Sequence, residues 1–315
     1  MSIVERALKR LQQSGQQPAQ AAPPPADPSG RAIPAKAKVA PSHGVLRDSS
    51  TRRLAGDAAK TVHIDFDALR RSGLLPPEHQ QRELAHQYRT LKRPILKFAF
   101  DGDAPPAEAR TASPRTLMVT SALPGEGKTF TALNLALSLA LEKDHSVILM
   151  DGDAPKPHVS HVLGVSSEPG LLDLLTEPAR DVESLLLPTD VRGLYVLPVG
   201  RRSESATELL ASARMRQVVS ALEGLDENCI VLLDSPPILL TSEAQVLASL
   251  FGQVVMVVRA GVTPQQAVTD ALGIIGEGPR VGLVLNQALH DNSVGGYYGY
   301  GYGDDFTGAG QTGQQ

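Results

Sequence analysis

Residues 121–129 read Ser121-Ala-Leu-Pro-Gly-Glu-Gly-Lys-Thr129. An apolar run, Leu117 to Thr120, precedes them, and an apolar stretch of helical character, Phe130 to Leu141, follows. A strand, a glycine loop closing on Gly-Lys-Thr and then a helix is the layout of a phosphate-binding P-loop. Backbone N–H groups of such a loop converge on phosphate oxygens, the lysine ammonium reaches the outer phosphates, and the threonine hydroxyl ligates Mg²⁺. The helix dipole adds to the attraction for anions. The stretch therefore predicts nucleotide binding through Pro124, Gly125, Glu126, Gly127, Lys128, Thr129 and the adjoining Phe130. One position departs from the pattern: Ala122 stands where its first glycine is expected.

The elements around this loop follow from apolar runs. Strands are expected at Leu117–Ser121, Val147–Met150, Leu194–Val199, Ile230–Leu233, Val254–Val258 and Val281–Leu285. Their near-continuous apolar character suits strands covered on both faces. Helices are expected at Phe130–Leu141, Ala206–Leu225, Ser242–Leu250 and Pro264–Ile275. The alternation predicts an α/β fold of the P-loop NTPase kind, a mostly parallel sheet with helices on both faces. Ligands of such sheets sit at the carboxyl ends of the strands. Upstream, His63 to Asp67 reads as a short strand or turn, and Pro76-Pro77 opens a helix from Glu78 to about Phe100. Leu84, Tyr88, Leu91 and Ile95 share one face of it, and Pro94 is expected to kink it or end it early.

The ends of the chain read differently. Residues 2–13 form a short amphipathic helical pattern, with Ser2 as cap, Glu5 three residues on, and Ile3, Ala7, Leu8 and Leu11 on one face. Its basic residues suit a membrane surface or a docking partner, and a frayed terminal helix is the competing reading. Residues 14–61 are rich in Gln, Ala, Pro and Ser and read as a flexible linker. Residues 62–294 carry the folded pattern, and 295–315 form a Gly-rich tail expected to be disordered. Four of the chain's six tyrosines, Tyr297, Tyr298, Tyr300 and Tyr302, lie within six residues of that tail.

Composition narrows the function classes. A hydrophobic content of 42% over 315 residues supports a sizeable core. The net charge of −4 gives no footprint for nucleic acid. Cys229 is the chain's one cysteine, which excludes an intramolecular disulfide and a multi-cysteine zinc site, and it reads as a small core residue. No run of about 18 apolar residues and no signal-peptide core occurs, so a cytoplasmic protein is expected.

Two further strand ends carry carboxylates. Val147 to Met150 runs into Asp151-Gly-Asp153, and Ile230 to Leu233 runs into Asp234-Ser-Pro-Pro237. Phosphoryl transfer needs Mg²⁺ to neutralise phosphate charge and a group that positions or deprotonates the nucleophile. Thr129 with Asp234 is the expected metal set, and Asp151 and Asp153 are candidates for a second metal contact and the general base. Aspartates at strand ends are also common turn formers and helix caps, which is the plainer reading of each. Asn286 ends the last strand, where its amide could meet an adenine edge or cap a turn.

These motifs together with the terminal tyrosines resemble the bacterial tyrosine autokinases of exopolysaccharide biosynthesis, over roughly residues 62–302. The resemblance implies an ATP- and Mg²⁺-dependent kinase that phosphorylates its own tail at Tyr297, Tyr298, Tyr300 and Tyr302. It implies catalytic roles for Lys128, Asp151 and Asp153, metal contacts from Thr129, Asp151 and Asp234, and a homo-oligomeric ring. It is similar to the free-standing subgroup, which in exosortase-linked gene clusters works beside a membrane chain-length or exporter protein. Such a partner would recruit the chain to the inner membrane.

Two positions depart from the family. Ala154-Pro155 stands where basic residues often follow the Asp-x-Asp motif, leaving Lys156 as the nearby cation. The family's docking helix Glu-x-x-Arg-x-x-Arg corresponds to His86, Arg89 and Lys92, and lysine does not replace arginine at a bidentate contact. Two other functions compete. Partition or division-type ATPase switches usually carry an extra lysine early in the loop, at the place of Leu123, and no lysine occurs between Arg115 and Lys128. A non-catalytic, nucleotide-sensing assembly factor is the other.

Overall fold

The computed structural model describes residues 60–106, 110 and 112–288. The expected helix at 2–13, nearly all of the linker and the tyrosine tail lie outside the described residues. Seven strands form one sheet: β1 (Thr116–Ser121), β2 (Ser146–Asp151), β3 (Leu187–Pro188), β4 (Leu194–Leu197), β5 (Cys229–Asp234), β6 (Gln253–Arg259) and β7 (Arg280–Asn286). Their order is β3-β4-β2-β5-β1-β6-β7, and every pairing is parallel except β3 with β4. All six expected strands are present. The two-residue β3 is too short to leave a periodic signal.

Nine helices are described: α1 (Phe66–Arg71), α2 (Gln81–Phe100), α3 (Lys128–Ala140), α4 (His158–Val162), α5 (Leu171–Thr176), α6 (Ala206–Leu210), α7 (Ala213–Glu223), α8 (Ser242–Ala248) and α9 (Gln265–Ile275). Strand alternation divides the core into two layers. Met118, Ile148, Met150, Val231 and Leu233 face one layer, covered by α5, α7 and α8. Leu117, Val119, Val147, Leu149 and Leu232 face the other, covered by α2 and α3. Cys229 is buried at the start of β5, and burial pushes its thiol up to about 12, as suits a core residue. Among the described residues no helix is long and apolar enough to cross a membrane.

Three expectations are corrected. The helix expected over 206–225 is two helices, because Ser212 takes an extended backbone (φ −79°, ψ 160°) and starts α7 afresh. His63 to Asp67 holds neither a strand nor a simple turn: Val62 bridges Thr189, and the Asp65 carboxylate caps α1 by accepting from Ala68 N at 2.8 Å. Pro94 does not end α2, which continues to Phe100. Pro94 and Thr90, whose carbonyl loses its helical partner, are both exposed, so water can satisfy that oxygen.

The opposite face of α2 is held by Tyr88, Lys92 and Ile95, all buried. Lys92 Nζ donates to Ser138 O at 2.6 Å and pairs with Glu142 at 2.7 Å. Lys92 therefore faces α3, while His86 and Arg89 stay exposed. Of the three positions read as a docking motif, Lys92 serves the interior. Lys92→Ala is expected to cost about 2–4 kcal/mol from lost packing and an unpaired carbonyl. Urea unfolding measures this, and a change within about 0.5 kcal/mol, usual for a surface site, would contradict it.

Candidate active site

The parallel sheet brings every motif-bearing strand end to one edge. β5 lies between β1 and β2, so the loop after β1, Asp234 at the end of β5 and Asp151 at the end of β2 are neighbours. Asp151 and Asp234 are register partners. The alternation that turns Val147, Leu149 and Leu232 toward α3 turns both aspartates the same way. Gly152 N donates to Asp234 O at 2.8 Å and stitches the two ends together. Gly152 lies between Asp151 and Asp153, and a Cβ there would lie 2.5 Å from Leu233 Cδ1 and 3.1 Å from Asp234 O, so a side chain would have to displace Leu233.

The glycine loop is pinned from three sides. Glu126 Oε2 accepts from Leu123 N at 2.7 Å, Glu126 Oε1 is hydrogen-bonded to Thr263 Oγ1, and Asn286 Nδ2 donates to Glu126 O at 2.9 Å. Gly127 is the N-cap of α3 at φ 97°, and a Cβ there would lie 2.0 Å from Asn286 Nδ2. Ala122 is buried, and Gln287 is the one described non-glycine residue with positive φ. Alanine at 122 therefore needs no glycine-only backbone, which accounts for the departure from the loop pattern. Leu123 packs against the core at the position where a switch ATPase carries lysine.

A pocket of about 570 Å³ opens at this edge. Pro124, Gly125, Gly127, Lys128, Thr129, Phe130 and Asn286 line it, as does Asp153. Glu126 does not, since its buried carboxylate is spent on the loop. Sequence reading missed Leu74, His158 and Leu240, which also line the pocket. Leu74 and Leu240 sit on irregular segments and His158 opens the short α4, where no periodic pattern marks a direction.

Thr129 Oγ1 donates to Asp234 Oδ2 at 2.7 Å, and Lys128 Nζ stands 3.9 Å from Asp153 Oδ2. Asp151 and Asp234 are fully buried, and each has one oxygen, Oδ1, with no hydrogen-bond partner. Burial, chiefly, raises Asp234 to about 8 and Asp151 to about 6, each helped by a neighbouring carboxylate. Burial also raises Asp153, against the opposing charge of Lys128. Two orphaned carboxylate oxygens on adjacent strand ends, beside a threonine hydroxyl, fit a hard divalent cation. Among the described residues no cluster of three or more His, Cys, Asp or Glu side chains could hold a metal by itself. Mg²⁺ takes one or two carboxylates and completes its shell with phosphate and water.

No family model matches the chain. The tyrosine-protein kinase YwqD of Bacillus subtilis (strain 168) is 30% identical over 218 residues, covering 68% of this chain and 86% of that protein. The chain belongs to the bacterial tyrosine-protein kinases. Among solved structures, the kinase domain of the Escherichia coli tyrosine kinase ETK matches with a TM-score of 0.55 at 28% identity, over 69% of this chain and 80% of that one. The VpsO kinase domain matches with a TM-score of 0.54 at 27% identity, over 68% of this chain and all of that one. As a bacterial tyrosine-protein kinase, the chain binds nucleotide through its P-loop fold.

Proposed function

We propose that this kinase uses ATP and Mg²⁺ to phosphorylate the tyrosines of its own tail, Tyr297, Tyr298, Tyr300 and Tyr302. One observation carries the reading: β7 delivers the chain to the pocket. Asn286 and Gln287 line it, and Tyr297 follows Gln287 by ten residues. Ten residues can span at most about 33–36 Å of chain, so a tyrosine at 297 is within chain reach of the pocket.

Lys128 holds the outer phosphates, with Gly125 and Gly127 shaping the loop around them. Mg²⁺, when bound, neutralises charge on the β- and γ-phosphates; Thr129, Asp234 and Asp151 are the residues that would hold it. A tyrosine oxygen attacks the γ-phosphorus, the bond to the β,γ-bridging oxygen breaks, and the phenol proton passes to the Asp151 carboxylate. Asp153 keeps Lys128 oriented. Each phosphate adds a charge of about −1.5 to −2 to the tail, which repels it from the acidic strand ends and releases it.

The resemblance supports transfer between copies in a ring and recruitment to the inner membrane by a chain-length or exporter partner in polysaccharide synthesis. Pure protein incubated with Mg²⁺ and ATP labelled at the γ-phosphate tests the core of this reading. Label retained on the protein is expected. Free labelled phosphate without labelled protein indicates an ATPase switch, and bound nucleotide without turnover indicates an assembly factor.

A further inference from the structure

Ser160, in α4, is fully buried and nine residues from Asp151 in sequence. Its backbone N–H donates to Asp151 Oδ2 at 2.7 Å. Its hydroxyl accepts from Val199 N at 2.9 Å, just beyond β4. The backbone N–H of Ser160 is thus the contact that holds Asp151 Oδ2, its own place is fixed by the hydroxyl's bond to Val199, and Asp151 Oδ1 has no partner.

We infer that Ser160 is the positioning residue of the active-site carboxylate: its backbone N–H holds Asp151 Oδ2, its hydroxyl anchors that N–H on Val199, and the carboxylate's free oxygen is thereby left for the metal and the attacking tyrosine. This inference rests on the kinase reading of the site. A carboxylate with both oxygens unrestrained would rotate about its terminal bond, a broad torsion. A misplacement of about 1 Å at a reacting group can cost a hundredfold in rate. The orientation of Asp151 is also tied to β4, since Val199 O accepts from Leu172 N at 2.9 Å and thereby joins α5 to the same chain of contacts.

The test compares Ser160→Ala and Ser160→Cys, which lose the strong hydroxyl acceptor for the Val199 N–H, with Ser160→Thr, which keeps it. Cysteine is close to serine in size, so that variant retains the fold if alanine does not. Two quantities are read: the turnover number for tyrosine phosphorylation, and the affinity for a fluorescent ATP analogue with Mg²⁺ and with EDTA. The Ala and Cys variants are expected to lower kcat by about tenfold to a hundredfold with little change in KM. They are also expected to weaken the Mg²⁺-dependent gain in nucleotide affinity, leave affinity in EDTA unchanged, and be rescued by Thr. In an Asp151→Asn background the same substitutions should add no further loss of that gain. Wild-type metal dependence in the Ala or Cys variant, or an equal loss on top of Asp151→Asn, overturns the inference. The binding readout stands even if the wild-type chain transfers no phosphate to itself, so failure of the kinase reading is told apart from failure of the role of Ser160.

Discussion

Lys128→Met is expected to lower tyrosine phosphorylation by about a hundredfold to a thousandfold, the range for removing one preorganised charge from a developing transition state. The side chain is almost fully buried at the first position of α3 and reaches the pocket beside Asp153. Its ammonium charge opposes the raised proton affinities of both Asp153 and Asp234. Methionine matches its length and suits a buried site, so the fold should survive. The loss should fall on turnover and on affinity for nucleotide, with the melting temperature of the ligand-free protein little changed. Circular dichroism beside a kinetic assay separates the two. A variant with near-normal turnover would contradict the role given to Lys128.

Asp234→Asn is expected to abolish Mg²⁺-dependent activity and yet to stabilise the metal-free protein. The sign follows from the raised proton affinity. Asp234 titrates near 8 in the folded chain against 3.8 for an unperturbed aspartate. Between about pH 4 and pH 8 the folded chain therefore holds a proton that the unfolded chain releases. Stability falls as pH rises through that window, by about 1–4 kcal/mol in total. Below about pH 4 both states are protonated and the cost vanishes. The charged groups facing Asp234 are Asp151, Asp153 and Lys128, with the Thr129 hydroxyl as its donor. Asparagine keeps an acceptor for Thr129 and never ionises. The variant should melt roughly 3–10 °C above the wild type at pH 8, with the gap closing toward pH 4. Mg²⁺ with ADP should stabilise the wild type and leave the variant almost unmoved. A gap independent of pH would falsify the account of Asp234.

The chemistry of the site was legible because its motifs sit at strand ends. Apolar runs ending in Asp151 and Asp234, and the loop closing on Thr129, can be read from residue order alone. Strand order cannot. That β5 lies between β1 and β2, and so makes Asp151 and Asp234 register partners, is a tertiary fact. Ser160 carries no local signal, since its role appears when Val199, 39 residues away, returns to its hydroxyl. Lys92 shows the opposite failure. It lies four residues after Tyr88 on the packing face, yet motif spacing placed it in a docking helix, whereas Ser138 and Glu142 receive it inside the fold. The break at Ser212 left no mark because neither glycine nor proline signals it. Glu126 was read with the phosphate loop, and its partner Thr263 arrives from the far side of β6.

The central claim is that the pocket transfers phosphate to the tyrosines that follow β7. Phosphotyrosine mapping by mass spectrometry, after incubation of the pure chain with ATP and Mg²⁺, tests it most directly. Wild type is compared with Lys128→Met and with a chain in which Tyr297, Tyr298, Tyr300 and Tyr302 are all changed to Phe. The account predicts phosphate on the tail of the wild type, its loss in Lys128→Met, and no labelled tail in the four-Phe chain. A wild-type chain that hydrolyses ATP and carries no phosphotyrosine, with or without a membrane partner, would contradict it.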